Sequence, residues 1–125
     1  MHTNEHALDR LVSETVGAAY EVANVLGCGF LEKVYHRALC QELILRGLTV
    51  RSQVAFPVQY KGQFVGDYIA DLVVDGRLIV ELKCAEGLSN EHMAQCINYL
   101  KASGLKLALL VNFQHPKVEW KRVIF

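Results

Sequence analysis

Three short stretches of this sequence hold residue types that could do chemistry together: Asp71, then Glu81-Leu82-Lys83, then Gln95-Cys96-Ile97-Asn98-Tyr99. An acid, an acid-x-lysine pair and a polar helical face, in that order, can hold a divalent cation and aim a water at a phosphodiester. The run Leu78-Ile79-Val80-Glu81-Leu82-Lys83-Cys84 reads as a buried strand interrupted by two full charges. Charges enter such a run almost only when they are paired or bind a metal. Side chains alternate along a strand, so Ile79, Glu81 and Lys83 share one face, expected to carry chemistry. Leu78, Val80 and Leu82 share the other, expected to be core.

Upstream, residues 64–74 read as a second strand, joined to the first by the turn signal Asp75-Gly76. Strand parity decides whether Asp71 meets Glu81. A two-residue loop would set Asp71 opposite Val80 and turn Glu81 to the other face. A three-residue loop of Val74, Asp75 and Gly76, with Gly76 left-handed, sets Val73 opposite Arg77 and Asp71 opposite Ile79. Asp71 and Glu81 are then diagonal neighbours, with Cβ atoms up to roughly 7–8 Å apart, close enough to converge on a hard cation. Lys83 lies one step further along that face, able to orient a nucleophilic water or to offset charge developing on phosphate.

The elements that must position these residues follow from periodicity. Apolar residues Leu8, Leu11, Val12, Ala19, Val22, Ala23 and Leu26, with Thr15, repeat at helical spacing and predict an amphipathic helix over 4–26, stopped at Gly27. A second helix is expected over 30–46, with Gly29 before it and Gly47 as its stop. Alternation of Val54, Phe56, Val58 and Tyr60 predicts a strand over 50–60, turned by Lys61-Gly62, with Pro57 marking an edge or a bulge. After Lys83, Ser89 or Asn90 can cap a helix running to about residue 102 and ended by Gly104. On that helix Met93, Ile97 and Leu100 form one stripe, and His92, Gln95 and Tyr99 fall on its flank. The run 107–111 reads as a short buried strand, parallel to its neighbour after a helical crossover. A last strand over 118–124 follows the His115-Pro116 turn. No repeat, low-complexity segment or linker breaks the chain.

With 125 residues, 52% of them hydrophobic, the chain is expected to form one domain over 1–125. Lys plus Arg and Asp plus Glu both number 13, so a nucleic-acid partner would have to be met by a local patch. Cys28, Cys40, Cys84 and Cys96 form no C-x-x-C pair and sit in apolar patterns, which predicts buried thiols in a reducing, cytoplasmic setting, with neither zinc ligation nor disulfides. Residues 1–5 carry no leader signal, and no apolar run approaches the roughly 20 residues that span a bilayer, so no membrane partner is expected.

The element order αα-βββ-α-β-β, with Asp71, Glu81-x-Lys83 and Gln95-xxx-Tyr99 in their places, resembles the PD-(D/E)XK nuclease superfamily, and Gln-xxx-Tyr is similar to its RecB-type branch. The segment Gly29-Phe30-Leu31-Glu32-Lys33-Val34-Tyr35 matches the signature of the GxxExxY proteins, a small bacterial family grouped with that superfamily. The resemblance covers nearly the whole chain. It implies an α/β, restriction-endonuclease-like core with a mixed central sheet flanked by helices. It further implies that Asp71, Glu81 and the Leu82 carbonyl bind Mg²⁺ or Mn²⁺. Lys83 would then position the attacking water, and Glu32 would reach in as a further acid at the metal or its water shell. Gln95 and Tyr99 would contact the substrate strand, DNA or RNA. The residue before Asp71 is Ala70 where the motif name has proline.

Other readings stand beside these. Glu32 and His36 could be a surface pair, Tyr35 a packing residue with a hydrogen-bonded tip, Glu81 with Lys83 a buried ion pair, and Gln95 and Tyr99 helix-flank packing. His92 reads as a solvated or capping residue and His115 as a loop residue. The chain as a whole is expected to be a metal-dependent nuclease. The alternatives are a non-catalytic nuclease-fold protein that binds nucleic acid, and a module that binds a protein partner. So small a chain cannot wrap a duplex alone, which makes a homodimer an expectation too.

Overall fold

A computed structural model describes the backbone of residues 2–125 and the side chains of residues 5–125; Met1, at the head of the stretch read for a leader, lies outside the described residues. Helices α1 (His2–Leu26) and α2 (Glu32–Leu45) precede strands β1 (Val50–Tyr60), β2 (Gln63–Val74) and β3 (Leu78–Lys83). Helix α3 (Asn90–Ser103) then crosses to β4 (Leu107–Asn112) and β5 (Glu119–Ile124). The five strands stand in sequence order in one sheet, antiparallel except for the parallel β3–β4 pair that the α3 crossover imposes. This is the α/β, mixed-sheet architecture expected.

Both faces of the sheet are covered. Leu72, Val74, Leu78, Val80, Leu82, Leu107, Leu109 and Val111 pack against α1 and α2. Ile79, Ala108 and Leu110 pack on the other side with Cys96 and Leu100 of α3. The face of Ile79 is therefore a second core rather than purely a chemical surface, and only its far end, at Glu81 and Lys83, is polar. All six residues of β4 are buried, as a strand covered on both faces requires.

The β2–β3 loop has the expected odd length and the wrong expected members. Val74 pairs with Leu78 and Val73 with Ile79, so the loop is Asp75-Gly76-Arg77. Val74 is wholly buried and stays in the strand, because a loop position would take it out of the core. Asp75 turns instead, left-handed at φ 52°, its carboxylate accepting from Thr49 N at 2.9 Å and Thr49 Oγ1 at 2.8 Å. Register shifts by two residues, parity survives, and Asp71 comes to face Glu81 directly rather than diagonally.

One irregularity was not foreseen. The β1–β2 ladder joins Ser52 to Leu72 and Val54 to Ala70 but skips Gln53 and Asp71, and Gln53 is left-handed at φ 54°. On either side of this gap the faces exchange. Leu72 and Val74 point to the α1–α2 core, whereas Val54 and Ala70 point to the α3 side. Beyond the gap the hairpin continues to Lys61-Gly62, both left-handed as a tight hairpin turn needs. Pro57 lies in β1, which is an edge strand, and a register shift falls at Val58/Gln59.

The cysteines also depart from expectation. Cys96 is buried, Cys40 and Cys84 are half-buried and Cys28, on the turn after α1, is exposed; all four are free. No helix is long and apolar enough to cross a membrane among the described residues.

Candidate active site

The site opens where β2 and β3 part. Their ladder ends at Leu72–Val80, and the next two residues in register, Asp71 and Glu81, bridge the gap with side chains. Asp71 N donates to Glu81 Oε2 at 2.6 Å, and Leu82 N donates to Asp71 Oδ2 at 2.9 Å. Each carboxylate thus gives a backbone amide a partner at the point where the ladder ends. Glu81 is 2% exposed. Burial first, and then the Asp71 charge, push its carboxyl up to about 7, against the Asp71 amide, the Tyr99 hydroxyl and Lys83, which favour the anion.

Lys83 follows Glu81 on the same face and donates from Nζ to Gln95 Oε1 at 3.0 Å. Gln95 Nε2 reaches Tyr99 Oη at 3.4 Å, and the Tyr99 hydroxyl stands on the Glu81 side, where it favours the Glu81 anion. Burial first, then Glu81, push the Tyr99 phenol up, which keeps it protonated and donating. Gln95 and Tyr99, one helical turn apart, thus carry a hydrogen-bonded run from Lys83 along the helix toward Glu81. Tyr99 is 5% exposed, so its contacts are with the protein itself.

Helix α3 starts on a capping box. Ser89 Oγ accepts from His92 N at 3.2 Å, and His92 Nδ1 accepts from Ser89 N at 3.1 Å, the capping role foreseen for His92. Buried Asn112, missed in the sequence, pins the loop between β3 and α3. Its Oδ1 accepts from Ala85 N at 3.0 Å, and its Nδ2 donates to Ala85 O at 2.8 Å. Asn112 ends an otherwise apolar run, the same signal that singled out Glu81. His115 is a loop residue, its Nε2 2.7 Å from Glu86 O.

Glu32 reaches the rim through the turn between α1 and α2. Gly29 takes φ 111°, and Tyr35, one turn into α2, donates its hydroxyl to Gly27 O at 2.6 Å and accepts from Phe30 N at 3.2 Å. The Tyr35 ring stacks on Phe113 at 4.8 Å, so it packs with a bonded tip as expected. The spacing Gly29-xx-Glu32-xx-Tyr35 is a built turn that fixes where α2 begins, in place of a side-chain cap. Glu32 is exposed in the first turn of α2; partial burial, then Asp71, raise its carboxyl, while Lys83, His36 and His92 lower it. His36 bonds Ser52 Oγ at 2.8 Å rather than pairing with Glu32.

Among the described residues no group of three or more His, Cys, Asp or Glu side chains converges as a ready metal cluster. The donor set still fits a small hard cation. One oxygen of Asp71 and one of Glu81 are free of the crossed bonds with the Asp71 and Leu82 amides. The Leu82 carbonyl turns into the same split as its N–H, because the two groups of one strand residue point to one side. Mg²⁺ is commonly held by one or two carboxylates and keeps several waters, so no third side chain is demanded.

A mixed five-stranded sheet crossed by one helix, with an acid facing an acid-x-lysine strand where two strands part, defines the class of nuclease folds. The chain belongs to the PD-(D/E)XK nuclease superfamily, whose family model matches residues 9–123; such nucleases generally use divalent metals. Two solved structures are similar to it. The crystal structure of SSO0001 aligns at TM-score 0.60 and 17% identity, and an alkaline exonuclease from Laribacter hongkongensis at TM-score 0.55 and 15% identity. Each alignment covers 74% of this chain, but only 48% of the first structure and 54% of the second, so the chain spans about half their length. No curated protein matches the sequence.

Proposed function

We propose that this chain is a metal-dependent phosphodiesterase acting on nucleic acid, DNA in the first instance, as one nuclease domain. The observation that carries the reading is the crossed pair: Asp71 and Glu81 are held face to face, with Glu81 destabilised as an anion by burial and by its neighbour. Two carboxylates so arranged invite a cation between them. Asp71, Glu81 and the Leu82 carbonyl would hold Mg²⁺ or Mn²⁺, which when bound polarises phosphate and acidifies water. Lys83, held by Gln95, presents its ammonium to the attacking water or the phosphate oxygen. Glu32 supplies a further acid at the rim. The built turn at Gly29, Glu32 and Tyr35 supports assignment to the GxxExxY proteins within the superfamily.

The test is cleavage of labelled single-stranded and duplex DNA and RNA, with Mg²⁺ or Mn²⁺ and with chelator, for the wild type and Lys83→Met. Cleavage that needs the metal and vanishes in Lys83→Met supports the reading. Metal binding without cleavage of any strand over a wide metal range refutes a stand-alone nuclease.

A further inference from the structure

The outer half of the β1–β2 hairpin is an arm with one apolar face continuous with the site. Tyr68 meets Tyr99 edge-on, centroids 5.7 Å apart at 80°, and Tyr99 is bonded through Gln95 to Lys83 of the site. Past the exchange at Gln53 and Asp71, Val54 and Phe56 pack on the α3 side, and strand alternation puts Val58 and Tyr60 on that face too. Gly66, paired with Val58, leaves a gap between Tyr68 and the tip, with no atom within 4 Å of where a Cβ would stand. A shallow depression of about 320 Å³ lies there, bounded by Val58, Val65, Gly66, Asp67 and Tyr68. At the tip Tyr60 is 63% exposed, and Lys61 Nζ stands 5.4 Å from its ring centre.

We propose that this arm is a stacking platform for the bases of a single strand that enters or leaves the site, with Tyr60 as its outer aromatic and Lys61 as a phosphate contact. The inference rests on the nuclease reading and names the form of its substrate. Three features favour this occupant over a second copy of the chain. The face begins beside the site, it leaves open space at Gly66 next to Tyr68, and it carries a cation beside the exposed Tyr60 ring. From Phe56 to Tyr60 the strip runs roughly 13 Å at a strand's usual rise, which suits a short run of bases. Base–aromatic stacking tolerates any sequence, as a nuclease without base readout needs.

The test measures fluorescence anisotropy of a labelled oligothymidylate, and of the same strand with abasic sites, in chelator so that nothing is cut. Wild type should bind the intact strand several-fold tighter than the abasic one. Tyr60→Ala should lose that preference with about tenfold weaker binding, Tyr60→Trp should keep it, and Tyr60→Leu should not. Turnover of bis(p-nitrophenyl) phosphate with Mg²⁺, a small diester without neighbouring bases, should be the same in Tyr60→Ala and wild type. Equal binding of intact and abasic strands by the wild type overturns the arm. So does a change of mass in solution on Tyr60→Ala, which would make the face a contact between copies. Stacking needs no metal, so a chain that binds strands this way yet hydrolyses no diester would sink the nuclease reading and leave the platform standing.

Discussion

Asp71 and Glu81 hold each other's strand: the amide of Asp71 donates to Glu81, and the carboxylate of Asp71 accepts from the amide that follows Glu81. Two acids thereby stitch the point at which β2 and β3 separate.

That arrangement sets a pH dependence. The Glu81 carboxyl lies near 7 in the fold against an ordinary 4.5, so the native state holds the proton more tightly than the unfolded chain. Its contribution is full below about pH 4.5 and is lost as pH rises through 7, on the order of 3 kcal/mol for the metal-free protein. Urea midpoints across that range should fall with pH for wild type and stay flatter for Glu81→Gln. A wild-type midpoint that climbs from pH 5 to 8 in chelator would contradict the geometry.

Asp71→Asn should separate stability from metal binding. The amide oxygen still accepts from Leu82, while the charge facing Glu81 disappears. The metal-free variant should equal or exceed wild type in stability above pH 7, by about 1 kcal/mol. Mg²⁺ at 100 times its dissociation constant should stabilise wild type by about 2.7 kcal/mol. Melting curves with and without the ion should show that gain missing from Asp71→Asn.

Gln95 and Tyr99 are expected to contact substrate, and in the fold Gln95 also bonds both Lys83 and Tyr99. Gln95→Ala should therefore lower kcat more than it raises KM, by about 10- to 100-fold in kcat, because it frees the Lys83 ammonium. Gln95→Glu should recover part of the loss. Steady-state kinetics on one oligonucleotide decides the matter, and a change confined to KM would return both residues to substrate contact.

Tyr35→Phe should cost about 1–2 kcal/mol, since Gly27 O and Phe30 N lose their shared partner in the turn that launches α2. The denaturant midpoint should drop with unchanged slope. Activity should fall further than stability explains, because the same turn aims Glu32.

What the sequence showed about this site came from parity and interruption. Two charges inside an apolar strand, and an odd loop, were enough to put Asp71, Glu81 and Lys83 on one face. The loop's membership was hidden because it turns on Thr49, which grips Asp75 from 26 residues upstream. The exchange at Gln53 was hidden for another reason: glutamine carries no preference for φ > 0, so nothing local announces it. The flank of His92, Gln95 and Tyr99 was visible from the helical period, yet period gives a face and not the partner across it. Cys28 sits in an apolar stretch but on a turn, where pattern alone says little about burial.

The gap at Gln53 and Asp71 also makes the hairpin adjustable. Alternation restarts there, so adding two residues to each of β1 and β2 near Lys61-Gly62 lengthens the arm by roughly 7 Å without changing which side chains surround Glu81. Reach and chemistry are thereby independent dimensions of one sheet, and an engineer could set the first like a ruler while leaving the second untouched.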